Sequence, residues 1–178
     1  MITGHVFIAT SLDGYIARPD GDIGWLLQRD DPGEDHGYDD FIADKDAIVM
    51  GRATYEKVTE SGEWHYDRPV LVLSKQLKDS PVPARLQGKV RFTGLAPREA
   101  MRELARQGAR KVYVDGGRVV QSFLREGLIA DMVVTTVPVL IGAGRPLFGE
   151  LPGDRDLALV SSRSFPSGLV QSTWRVLA

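Results

Sequence analysis

Residues 111–123, KVYVDGGRVVQSF, constrain this chain more than any other stretch. Val112, Tyr113 and Val114 form a β-branched and aromatic run without polar alternation, as in a strand buried on both faces. The run stops at Asp115-Gly116-Gly117, after which Val119, Val120, Phe123 and Leu124 recur at helical spacing. A strand that breaks at two glycines and restarts as a helix commits the chain to a β–turn–α unit. The helix start leaves backbone N–H groups unpaired beside the positive end of the helix dipole, a site for an anion such as a pyrophosphate. Glycines there remove the side chains that keep a phosphate away. The same residues also make a tight turn that needs glycine only for its φ angles. This stretch alone leaves both readings open.

At 178 residues the chain is expected to form a single domain, 1–178, large enough for a substantial core. A net charge of −2, with acids and bases interspersed, offers no basic face for nucleic acid. There are no cysteines, which removes disulfides, thiolate metal sites and cysteine nucleophiles and fits a cytoplasmic location. No apolar run approaches the ~18 residues that a membrane span requires. Residues 1–3 lead straight into a strand, so no signal peptide is expected.

The remaining strands and helices alternate. Residues 5–10 (HVFIAT), 47–50 (AIVM), 70–73 (VLVL) and a shorter run around 90–92 read as buried strands. Residues 18–38, rich in Gly, Asp and Pro, form a long irregular stretch anchored by Trp25, and long loops in compact domains are often functional. A short helix is expected over 39–44. The clearest helix spans 97–107, with Pro97 in its first turn and Gly108 past its end. After a β-rich run at 131–141, strands at 157–164 and 169–177 close a hairpin around Phe165-Pro166-Ser167-Gly168. This order predicts an α/β fold with a mostly parallel sheet and antiparallel C-terminal strands. The ligand should lie beyond the C-terminal ends of the parallel strands, where Gly51, Ser74 and Gly116 fall.

Those strand ends supply complementary groups. Gly51-Arg52 offers a close backbone approach, a guanidinium and a helix start, while Ser74-Lys75 offers a hydroxyl and an ammonium for a phosphate monoester. Together with Gly116-Gly117 they describe an extended phosphorylated ligand such as a dinucleotide. Gly142-Ala143-Gly144 begins like GxGxxG but lacks the third glycine and the following helix, so a Rossmann reading fails. His5, His36 and His65 show no metal-ligand spacing, and no metal is expected. Asp13 stands where the first strand leaves the sheet, either as a turn residue or as a catalytic carboxylate.

VFIATSLDGYIA, IVMGRATYE, VLVLSK, VYVDGGR and TTVPVLIGAGRPLF, in this order, resemble the dihydrofolate reductase superfamily. They are most similar to its branch containing the riboflavin-biosynthesis reductase domain, the C-terminal half of RibD. The resemblance covers nearly the whole chain and implies a three-layer sandwich: a central, mostly parallel sheet with an antiparallel C-terminal hairpin and helices on both faces. It also implies NADPH as cofactor. Gly51, Arg52 and Thr54 would then lie at the pyrophosphate and adenosine phosphate, and Ser74 and Lys75 at the 2′-phosphate. Gly116, Gly117, Arg118 and Val119 would form the pyrophosphate loop, with Ala9 and Ile16 lining the nicotinamide pocket. Thr135 would contact substrate, Trp25 and Tyr38 would cover it, and Asp13 would orient it or relay a proton.

Two departures bear on the substrate. No acid among Asp30, Asp35, Asp39 and Asp40 fits the spacing of the folate-binding carboxylate, and Asp115-Gly116-Gly117 replaces the usual Glu-Gly-Gly of riboflavin-type reductases. No zinc deaminase module is expected within these residues. The expected function is an NADPH-dependent reductase acting on a pyrimidine, pterin or ribosylamino compound, most like 5-amino-6-(5-phosphoribosylamino)uracil reductase. A dihydrofolate or pterin reductase and an NADPH-binding module without turnover are the alternatives. A homodimer is also expected, because the terminal apolar run with Trp174 reads as a sheet edge that needs cover.

Overall fold

The computed structural model describes residues 1–177. Its strands are β1 (Thr3–Ser11), β2 (Tyr15–Ala17), β3 (Ala47–Gly51), β4 (Val70–Leu73), β5 (Val90–Thr93), β6 (Lys111–Asp115), β7 (Ile129–Val137), β8 (Arg145–Pro146), β9 (Leu157–Ser164) and β10 (Val170–Val176). Its helices are α1 (Gly24–Leu27), α2 (Tyr38–Ala43), α3 (Arg52–Glu60), α4 (Pro97–Arg106) and α5 (Gly117–Arg125). Eight strands form one sheet in the order β5-β4-β3-β6-β1-β7-β10-β9. All pairings are parallel except those of β10 with β7 and β9. β2 and β8 pair separately as a small antiparallel ribbon.

Side-chain alternation explains the three layers. In β3 and β6, Val49, Val112 and Val114 face α4 and α5 and pack with Met101, Leu104, Val120 and Phe123. Their neighbours Ile48, Met50 and Tyr113 face the other way, toward Tyr55 of α3 and Phe41 and Ile42 of α2. A period of two on strands buried on both faces produces this split. Phe123 is fully buried, and truncating such a side chain to alanine typically costs about 3–5 kcal/mol. α4 begins at Pro97, with Glu99 Oε2 accepting the Ala96 N–H at 3.1 Å, and is followed by Gly108 at φ +94°.

Two expectations about the C-terminal third need correction. The β-rich run does not continue to Ile141: β7 stops at Val137, because Pro138 has no N–H to continue the ladder. The terminal strand is not the sheet edge either. β10 lies between β7 and β9, with Gln171 opposite Thr135 on one side and Arg163 on the other. The hairpin turn sends the chain back into the gap beside β7, so β9 is the edge, with Leu159 56% and Val160 53% exposed.

Candidate functional site

The parallel strands deliver their C-terminal ends to one edge of the sheet. There Gly51 is the N-cap of α3, and Gly116, after β6, is the N-cap of α5. β3 and β6 are neighbours, with Met50 opposite Asp115, so the two helices start side by side. Their proximity is tight: a Cβ on Gly51 would lie 3.1 Å from Val119 Cγ2, and one on Gly116 would lie 2.4 Å from Thr54 Oγ1. Neither helix has a side-chain cap, and neither has an acid in its first turn. Two sets of orphan N–H groups and two positive dipole ends therefore converge, as an extended polyanion requires.

Arg52, Lys75 and Arg118 stand exposed around this point. Arg52 Nε lies 3.7 Å from Glu56, whereas Lys75 and Arg118 have no ion-pair partner among the described residues. Ser74 Oγ accepts the Leu77 N–H at 3.1 Å, closing its own turn while its O–H hydrogen stays available. The glycines are also required by the protein itself. Gly116 has φ +93°, and a Cβ on Gly117 would meet Pro146 O at 2.7 Å and Ile16 Cδ1 at 3.0 Å. The packing role and the anion-site geometry thus coexist at the same residues.

Asp13 occupies a different environment from a proton donor's. Its Oδ1 accepts from Ser11 Oγ at 2.6 Å and from the Ile141 N–H at 3.2 Å, and its Oδ2 accepts from the Gly142 N–H at 2.8 Å. These bonds, led by Ser11, hold the exposed carboxyl below the usual range and outweigh its slight desolvation. Asp13 is an ionised clamp on the 138–142 loop, with no proton to give near neutral pH. The loop in turn presents β8 to β2.

Sequence reasoning passed over Asp115 as part of a turn. In the fold it ends β6 facing α2, half-buried beside tyrosines. Tyr66 OH donates to Asp115 Oδ2 at 3.4 Å, and Tyr113 OH donates to the Phe7 carbonyl at 3.0 Å. Tyr38 lies edge-on to Phe7, with ring centroids 5.5 Å apart. Burial raises the Asp115 carboxyl to about 6, against the pull of the Gly116 amide and the tyrosine hydroxyl. Burial together with the Asp115 charge also pushes Tyr38 up to about 12 and Tyr66 further still. A cleft of about 220 Å³ opens beside this cluster, with Tyr38, Tyr66, Asp39 and His65 in its wall.

The other expected residues divide between two places. Ala9 pairs in register with Thr135 across β1 and β7, and Thr135 Oγ1 accepts from Gln171 Nε2 at 2.9 Å. Trp25, on α1, is 3% exposed and packs with Val137 and Leu169, and Ala9 packs against the same cluster. Its indole N–H has no partner among the described residues. Ile16 sits across from these, against the start of α5. His5 lies at the opposite end of β1, bonded to Asp131 and Thr3.

The family model of the RibD C-terminal domain matches residues 3–171. The chain belongs to the RibD C-terminal domain family. YwjB of Bacillus subtilis (strain 168), itself uncharacterized, is 33% identical over 166 residues, covering 90% of each chain. A crystal structure from Shewanella sp. PV-4, named for riboflavin biosynthesis, superposes with a TM-score of 0.92 at 36% identity. That match covers 99% of this chain and 100% of the other. The deaminase/5-amino-6-(5-phosphoribosylamino)uracil reductase of Thermotoga maritima gives a TM-score of 0.75 at 16% identity, which shows the shared RibD-type fold. This chain covers 57% of that longer protein, with 99% of its own residues aligned.

Proposed function

We propose that this chain is an NADPH-dependent reductase acting on a flat pyrimidine or its ribosylamino derivative, of the kind represented by 5-amino-6-(5-phosphoribosylamino)uracil. One observation carries the reading: two uncapped, acid-free helix N-termini meet at the sheet edge, one residue beyond a carboxyl whose proton persists toward neutral pH. Family membership supports reductase chemistry in general.

The residues present fit the cofactor. The first-turn amides of α3 and α5 would hold the pyrophosphate, with Arg52 and Arg118 adding charge from the rim. Ser74 and Lys75, at the end of the neighbouring strand β4, would take the 2′-phosphate. Ala9 and Ile16 would border the nicotinamide, which supplies a hydride when bound. Reducing a C=N or C=O bond also consumes a proton. Asp115 would donate it: burial raises its carboxyl to about 6, so a protonated fraction persists toward neutral pH, while Gly116 N–H and Tyr66 OH would stabilise the carboxylate left behind. Tyr38 and Phe7 form an aromatic wall for a flat ring.

Titrating the protein with NADPH by fluorescence, then following NADPH absorbance with the pyrimidine above, dihydrofolate and dihydropterins, tests the reading. Cofactor binding with consumption by the pyrimidine is expected. Binding without consumption across the panel would make the chain a binding module, and no binding at all would overturn the proposal.

A further inference from the structure

Gln171 is held at both ends of its side-chain amide. Arg163, a donor only, gives Nε–H and Nη2–H to Gln171 Oε1 at 3.1 and 2.9 Å. On the other side Gln171 Nε2 faces the His36 carbonyl at 3.0 Å and Thr135 Oγ1 at 2.9 Å. Reversing the amide would set a donor against the guanidinium and an acceptor against the carbonyl, so its orientation is fixed twice over. Both Nε2 hydrogens are then committed, one to His36 O and one to Thr135.

This commitment has a consequence for Thr135. A threonine hydroxyl has one hydrogen to donate and lone pairs to accept with. Because Gln171 can only donate here, Thr135 Oγ1 accepts, and its own hydrogen has no acceptor among the described residues. Thr135 and Gln171 are 5% and 6% exposed, so solvent does not readily satisfy that hydrogen. Thr135 lies opposite Ala9 of β1, on the face shared with Phe7.

We propose that Arg163 and Gln171 are positioning residues that make Thr135 a one-way hydrogen-bond donor, selecting substrates that present an acceptor, such as a ring oxo group, to β7. The proposal rests on the reductase reading of the same site and adds the polarity by which it chooses its substrate. Gln171 also joins the 30–38 loop to the hairpin through His36, alongside Glu34, which accepts from the Ser167 N–H and Oγ at 2.7 and 2.6 Å.

Two variants test it. Thr135→Val removes the donor and leaves the Gln171 link to His36 intact. Gln171→Glu keeps Arg163 paired but offers acceptors only, so Thr135 turns its hydrogen away from the substrate. Each should raise KM for 5-amino-6-(5-phosphoribosylamino)uracil about tenfold with NADPH affinity unchanged. The double variant should lose no more than the worse single one, and Thr135→Ser should restore binding. Equal KM in wild type and Thr135→Val, or additive losses, would overturn the proposal.

A ligand-free measurement separates its failure from that of the reductase reading. In ¹⁵N NMR both side-chain amide protons of Gln171 should be protected from exchange, and Thr135→Val should shift one and spare the other. Free exchange of both would overturn the proposal whatever the enzyme turns over. Protection with the selective shift, in a chain that consumes no NADPH, would sustain the polarity and overturn the reductase reading alone.

Discussion

Replacing Asp115 by Asn removes one titrating group from a half-buried position and keeps its shape. In the unfolded chain an Asp carboxyl loses its proton near 3.8, whereas burial raises Asp115 to about 6 in the native state. Between these values the native protein holds the extra proton, so the wild type loses stability as pH rises from about 4 to 6 and is level beyond. A rise of about two units corresponds to at most ~3 kcal/mol. Tyr38 and Tyr66 stay neutral throughout, because both are pushed upward. Groups remote from the site, such as Asp44 and Asp46, whose carboxyls are lowered by their own partners, cancel between wild type and variant. Urea unfolding at pH 4, 5, 6 and 7 reads the difference directly. With m of about 2 kcal/mol/M, the wild-type midpoint should fall relative to Asp115→Asn by up to ~1.5 M across this range. A difference that stays flat from pH 4 to 7 would refute the burial argument and, with it, Asp115 as the proton source.

Lys75→Ala should weaken NADPH roughly 10- to 150-fold in a fluorescence titration and leave NADH almost untouched, since only NADPH carries the 2′-phosphate; equal wild-type affinity for both cofactors would remove the assignment. Gly116→Ala places a Cβ 2.4 Å from Thr54 Oγ1 at φ +93°, and calorimetry should show a loss of about 1–3 kcal/mol. Asp13→Asn should accelerate hydrogen exchange at the Ile141 and Gly142 amides without moving the pH optimum of turnover, because the clamp, not a proton, is what is lost. We propose a homodimer built on the exposed β9 edge; light scattering should return twice the 19.6 kDa chain mass, and a Leu159→Glu variant should return the single mass.

The parts of the fold legible in the sequence are those whose chemistry is local. Val112-Tyr113-Val114 announces a buried strand, and Pro97 and Gly108 bracket α4 within a turn of where the helix begins and ends. Strand order is not local. β10 reads as a terminal edge until its pairing with β7, far back in the chain, is known, and no nearby residue encodes that β9 lies outside it. The short α1 inside the irregular 18–38 stretch carries no usual start signal, because its N-cap is Ile23, which has no capping side chain. It is anchored by Trp25 packing on Val137 and Leu169.

The site follows the same division. Glycines that end strands and open helices mark an anion cradle locally, so Gly51 and Gly116 were visible, although Thr54 beneath Gly116 gives that glycine a second cause. Carboxylate roles are set by distant partners. Asp13 becomes a clamp through amides 128 and 129 positions away. Asp115 is raised by burial in the folded sheet, against the pull of Tyr66, 49 positions away. In sequence the two aspartates look alike, each followed by glycine at a strand end. Hydrogen bonds from N–H and O–H groups stabilise the charged form of Asp13, while burial disfavours the charged form of Asp115. That contrast gives loop geometry to the first and, under the reductase reading proposed above, proton transfer to the second.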